Sequence, residues 1–199
     1  FFFQAEHGIP DPLWSRGLGD VYKRQISTNP ITNGSYVWAT PALSIGQSYQ
    51  GGIIAYIDNT GLHGLIADTS DTGYSSWPCW QSGNLPGAQG TAIGTGNQNT
   101  IDIEAGCTTS GTAADICANL TLGGYSDWFL PSKDELNKLY ENIGQGNALG
   151  LGNVGGFANN YYWSSTESVS DRAWGVSMSL TASRPYKRDY RDVRAVRAF

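Results

Sequence analysis

Few residues in this chain have types and spacing suited to chemistry, and they are unevenly placed. Beyond residue 25 there is one histidine, His63, beside a turn. The sequence sets no serine, cysteine or acid against it as nucleophile or orienting partner. Cys79, Cys107 and Cys117 lack the paired spacing of a zinc site. Asp127 and Asp134 read as a turn acid and a helix first-turn acid, the second favoured by the helix dipole. No catalytic residue, metal or cofactor is expected, and the chain reads as non-enzymatic. Recognition chemistry instead gathers near the C-terminus, in Ser183-Arg184-Pro185-Tyr186-Lys187-Arg188-Asp189-Tyr190-Arg191-Asp192. Tyr supplies rigid contact area at low entropy cost, Arg pairs bidentately with anions, and Ser and Asp adapt their hydrogen bonds. The candidate ligand-binding residues are Arg172, Ser177, Ser179, Ser183, Arg184, Tyr186, Arg188, Asp189, Tyr190 and Arg191. Arg194 and Arg197 are expected to be structural, pairing with acids of the body such as Glu167.

Charge is distributed in the same sense. From Ile26 to Ser170 there are eleven acidic and two basic residues; from Asp171 to Phe199 there are three acidic and seven basic. An acidic body with a basic end suggests that the end meets something anionic. The net charge of −5 argues against general nucleic-acid binding. No apolar run approaches the roughly 20 residues that cross a bilayer. Little Lys, few charges and abundant Gly, Ser, Thr, Asn and aromatics fit an exported surface protein. The expected partner is a protein or carbohydrate surface ligand, with homo-oligomerisation left open. In an oxidising compartment Cys79 and Cys107, both in loops, are placed to bridge; Cys107 with Cys117 is the competing pair. Cys117 lies on the apolar face of a helix and reads as a buried free thiol.

The elements that must position these residues can be read in order. Asp20-Val21-Tyr22-Lys23-Arg24-Gln25 is what GATGTGTATAAGAGACAG encodes, which resembles a transposon mosaic end used to build sequencing libraries. Residues 1–25 are therefore expected to be adapter-derived, with any native N-terminus and export signal lost. Residues 26–44 read as a linker or the tail of an upstream domain, and 45–199 as one ligand-binding domain. Gly52 to Asp58, a turn at Asn59-Thr60-Gly61, and Gly64 to Ala67 read as a β-hairpin. Thr69 to Gly96 is expected to be loop-rich. Two short helices follow, about Asn99–Ala105 and Ala113–Leu120. Ser132 and Glu135 form a capping box opening a third, whose buried stripe is Leu136, Leu139, Tyr140 and Ile143. Tyr161 to Thr166, the alternating Trp174 to Thr181 and Val193 to Arg197 supply the last strands. In the alternation, Trp174, Val176 and Met178 should point inward. Trp128, Trp163 and Trp174 are read as core rather than as a sugar platform.

Several blocks carry a specific resemblance. Gly123-Gly124-Tyr125-Ser126-Asp127-Trp128-Phe129-Leu130-Pro131-Ser132-Lys133-Asp134-Glu135-Leu136 is the most specific. It stands in order with Gly51-Gly52-Ile53-Ile54-Ala55-Tyr56, Gly90 to Gly96, Tyr162-Trp163-Ser164-Ser165-Thr166-Glu167 and Val193 to Phe199. Together they resemble the Lcl C-terminal domain family, over about Ile45 to Phe199. The resemblance implies a C-type-lectin-like α+β fold, with a few short helices packed on small, mainly antiparallel sheets. The family's namesake, a collagen-like surface adhesin, binds sulfated glycosaminoglycans, which implies a secreted or cell-surface location in a bacterium, or a phage particle. A fixed adhesin for sulfated polysaccharide is one alternative function, and a lectin-fold enzyme, a hydrolase or oxidase, a remoter one. The fold also implies a likeness to the variable proteins of diversity-generating retroelements. In those, AAC codons near the gene's 3′ end become NNC, which cannot encode Trp, Lys, Met, Glu or Gln. All ten candidate residues are NNC-encodable; the interspersed Trp174, Met178 and Lys187 are not, as fixed scaffold positions would be. The sugar–calcium motifs of the wider lectin fold are absent, and the catalytic cysteine pattern of formylglycine-generating enzymes is not recognised.

Overall fold

The computed structural model describes residues 42–79, 83–179 and 182–199. The adapter-like segment 1–25, most of the 26–44 linker, and Trp80, Leu180 and Thr181 of the segments read above lie outside the described residues. Strands β1 (Ser48–Tyr49), β2 (Gly52–Ile57), β3 (Gly64–Ala67) and β4 (Gly73–Ser76) come first. Helices α1 (Gly96–Gly106), α2 (Ala113–Ala118) and α3 (Lys133–Ile143) follow. The chain closes with β5 (Tyr161–Val169), β6 (Arg172–Ser177), β7 (Ala182–Ser183), β8 (Tyr190–Val193) and β9 (Val196–Ala198). One sheet has the order β1-β2-β3-β9 and the other β4-β8-β5-β6-β7. All pairs are antiparallel except β5 with β8. The class is α+β, with short helices on two mainly antiparallel sheets. Among the described residues no helix is long and apolar enough to cross a membrane.

Local chemistry explains the clearest elements. At the β2–β3 turn the Asp58 carboxylate accepts from the backbone N–H of Thr60 at 3.0 Å and of Gly61 at 3.1 Å. Gly61 has φ of +73°, where a side chain would be strained. Helix α3 begins at a reciprocal capping box. Glu135 N–H donates to Ser132 Oγ at 3.3 Å, and Ser132 N–H donates to Glu135 Oε2 at 2.7 Å. Leu136, Leu139, Tyr140 and Ile143 form its buried stripe.

Two cores flank the strands, and successive residues divide between them because strand side chains alternate faces. Ile66, Trp163 and Val193 join α1 and α2 residues such as Ile103, Ala114 and Cys117 in one. Leu65, Ala67, Tyr162 and Val196 join Leu136, Leu139 and Ile143 of α3 in the other. Cys79 and Cys107 are bonded, tying the segment after β4 to the end of α1, with Cα atoms 5.7 Å apart. Cys117 is a buried thiol whose pKa burial pushes well up.

Thr69 to Gly96 is loop-rich among the described residues apart from β4, which forms because β8 supplies its ladder. Two expectations need correcting. The alternating strand begins at Arg172 and ends at Ser177. Val193 to Arg197 is not one strand: β8 ends at Val193 in one sheet and β9 begins at Val196 in the other. The fully buried Arg194 sits at this crossing. It donates to Asp71 Oδ1 at 2.6 and 3.1 Å, to Asp68 O at 2.9 Å and to Gly155 O at 2.6 Å.

Candidate functional site

The polar segment after β7 is fastened at its middle. Tyr186 bridges to Arg172, Lys187 N–H donates to Asp171 O at 2.9 Å, and Trp77 N–H donates to Lys187 O at 2.9 Å. The Lys187 side chain turns inward and is 0% exposed. Its Nζ lies 2.5 Å from Glu167 Oε1, 3.3 Å from Gly83 O and 4.6 Å from the centre of the Trp77 ring. The Glu167 carboxylate also accepts from Leu85 N–H at 3.0 Å and from Gln89 Nε2 at 2.6 Å. A buried ion pair is tolerable when its remaining donors and acceptors are satisfied in this way.

Around that fixed point the neighbouring side chains turn outward and stack. Tyr186 has the Arg172 guanidinium 4.0 Å from its ring centre and that of Arg188 at 4.7 Å. Arg172 Nη1 also donates to Arg184 O at 2.9 Å. Trp174 carries Arg184 at 5.3 Å and Lys133 Nζ, from the start of α3, at 5.0 Å. Arg191 lies 4.9 Å from the Tyr161 ring and 3.6 Å from Asp189, and its buried Nε has no partner among the described residues. Asp189 N–H donates to Tyr186 O at 2.9 Å, closing the turn. Among the described residues Arg172, Arg184 and Arg188 form no ion pair. Their charges rest on aromatic faces, and Arg184 and Arg188 are exposed to solvent.

The structure brings Arg172, Arg184, Tyr186, Arg188, Asp189 and Arg191 together through these contacts. Tyr190 is exposed beside them, with its ring 5.8 Å from that of Tyr74 on β4. Ser183 is half-buried in β7, opposite Gly175. Ser177 departs from expectation: it is buried, and its hydroxyl meets that of the exposed Ser179 at 2.8 Å. Both faces of β6 are covered at that end, so alternation does not bring Ser177 to solvent. Trp174 departs in the other direction, half-exposed under two cations, while Val176 and Met178 are buried. Trp128 and Trp163 are core residues. Arg194 and Arg197 are structural, but their partners are Asp71 and Asp127 rather than Glu167. His63 is exposed at the β2–β3 turn. Tyr161 and Lys133, which touch Arg191 and Trp174, and Tyr74 beside Tyr190 escaped the sequence reading, since each reaches its place only through sheet pairing or helix docking.

The sequence profile of the Lcl C-terminal domain family matches residues 68–197. The chain belongs to that family. The match takes in β4, all three helices and the whole stacked cluster, and leaves the β1–β3 segment outside. Among solved structures, this Lcl C-terminal domain chain is similar to a fimbrial protein from Bacteroides ovatus, with a TM-score of 0.50 and 14% identity. That similarity covers 73% of this chain and 43% of the fimbrial protein, so the chain spans less than half of its length. At such identity the likeness is one of fold. Comparison with curated proteins gives no match.

Proposed function

We propose that this Lcl C-terminal domain is a non-enzymatic, C-type-lectin-like binding domain displayed at a bacterial or phage surface. Its binding face is built from β6, β7, β8 and their connections. The observation that carries the reading is the division at Lys187: one inward residue fixes the segment, and Arg184, Tyr186 and Arg188 around it face solvent. Rigid backbone with exchangeable Tyr, Arg and Asp suits recognition. Family membership and a fimbrial protein of similar fold support a surface adhesin role. The exposed position of His63, beside a turn and away from the cluster, supports leaving acid–base chemistry out.

Diversification of the face by a retroelement is part of the proposal. Lys187 and Met178, which NNC codons cannot encode, are both buried, which supports fixed scaffold positions among variable ones. Ser177 is buried and belongs with the scaffold. The gene should then end in a segment nearly repeated downstream, beside a reverse transcriptase, with mismatches only at template adenines. Replacing Tyr186, Arg188, Tyr190 and Arg191 together with Ala tests the face itself. Binding to peptides selected against the unsubstituted chain should disappear while the melting transition stays nearly unchanged. Retained binding, or global unfolding, would count against the reading.

A fixed adhesin for sulfated polysaccharide is the second reading, favoured by Arg172, Arg184 and Arg188, which have no carboxylate partner among the described residues. It requires heparin retention that falls steeply with salt. Retention indifferent to ionic strength would exclude it.

A further inference from the structure

Strand β4 carries a side chain that the charged cluster does not account for. Tyr74 is 64% exposed and Tyr190 59% exposed. Ser76 pairs with Tyr190 and Tyr74 with Asp192, which makes the two tyrosines diagonal neighbours across the β4–β8 ladder. Their ring centres are 5.8 Å apart and the planes are inclined at 39°. Both side chains are thus held by strand backbone rather than by a free loop, and their apolar area is available with little further ordering cost. The pair adjoins the cations through the chain, because Tyr190 lies two residues after Arg188 and the turn between them is closed by Asp189 N–H on Tyr186 O, whereas Arg191 points to the other face of the sheet.

We propose that Tyr74 belongs to the binding face, and that the face takes an acidic protein surface. An apolar side chain of the partner packs on the exposed Tyr74–Tyr190 pair, and its carboxylates meet Arg172, Arg184 and Arg188. The proposal rests on the function proposed above and names its partner. Charge complementarity points to an acid: three guanidiniums with no ion pair among the described residues stack on Tyr186 and Trp174, presenting fork-shaped edges that match carboxylates. The tyrosine pair points to protein, since it offers strand-held, exposed apolar area beside the cations. Tyr and Arg are also the residues that dominate the centres of protein interfaces.

The test pans random peptides displayed on phage against the immobilised chain. Enriched peptides are then measured against Tyr74→Ser, Tyr74→Phe and the fourfold alanine variant, with heparin binding measured in parallel. The expected peptides combine Asp or Glu with an aromatic or aliphatic residue. Tyr74→Ser should weaken them by about tenfold or more, Tyr74→Phe should largely preserve binding, and neither should shift thermal unfolding. Binding that survives Tyr74→Ser but is lost in the fourfold variant overturns this inference and leaves the proposed function standing. Binding that survives both variants overturns both. Peptides lacking acids, or no enrichment, remove the acidic protein partner. So does heparin binding that needs the arginines and ignores Tyr74, which would assign the face to a polysaccharide.

Discussion

Lys187 and Arg188 are adjacent, carry the same charge and have opposite surroundings. Lys187 is sealed inside the domain against Glu167, Gly83 O and the Trp77 ring. Arg188 lies on the surface against Tyr186. The contrast supports the proposal that a polar segment keeps one shape while its exposed residues vary. A buried pair and backbone hydrogen bonds at Tyr186 and Lys187 hold the shape, and under the proposed function the exposed side chains supply the surface chemistry.

The largest effect should come from breaking that division on its inner side. Lys187→Ala leaves the Glu167 carboxylate buried and uncompensated, so the domain should lose about 3–5 kcal/mol. Arg188→Ala should change stability by no more than about 0.5 kcal/mol. Urea denaturation of the two variants measures both. A similar loss is expected for Arg194→Ala, since Asp71 and the carbonyls of Asp68 and Gly155 would lose their donor at the crossing between sheets. Equal stability of Lys187→Ala and Arg188→Ala would erase the comparison.

The sequence showed what is local. The hairpin turn, the capping box at Ser132 and Glu135, and the α3 stripe depend on residues within a few positions of each other, and all stand in the structure. What it hid is long-range. Strand β4 and the Tyr74–Tyr190 pair exist because β8, more than a hundred residues later, completes the ladder. Likewise, nothing local distinguishes Glu167 as the partner of Lys187 rather than of Arg194. Ser177 and Trp174 were misplaced for a shared reason. Alternation assigns faces, but a strand flanked by two cores can bury both faces at one end and expose a core-type side chain at the other.

Two smaller effects sharpen the contrast. The Cys79–Cys107 bond spans 28 residues of sequence. Replacing both with Ser should cost about 2–4 kcal/mol, read as a lowered urea midpoint. Heparin or peptide binding should persist at temperatures where that variant stays folded, because the bridge lies outside the stacked cluster. Ser132→Ala removes one half of the α3 cap and should cost about 1 kcal/mol. Its effect on binding should be smaller still, limited to any shift of Lys133 beneath Trp174. A large binding loss from Ser132→Ala at unchanged stability would show that the start of α3 belongs to the face.

The central claim is that shape and recognition are carried by different residues of one segment. It is tested most directly by a set of variants in which Arg172, Arg184, Tyr186, Arg188, Asp189, Tyr190 and Arg191 are replaced at random with NNC-encodable residues other than Pro, which would remove backbone N–H donors, while Lys187 and Glu167 are kept. The measurement is the urea unfolding free energy of each member. The account expects the set to cluster within about 1 kcal/mol of the parent, well short of the Lys187→Ala loss. A spread as wide as that loss would show that the exposed side chains hold the fold, and would contradict the division on which the binding face is argued.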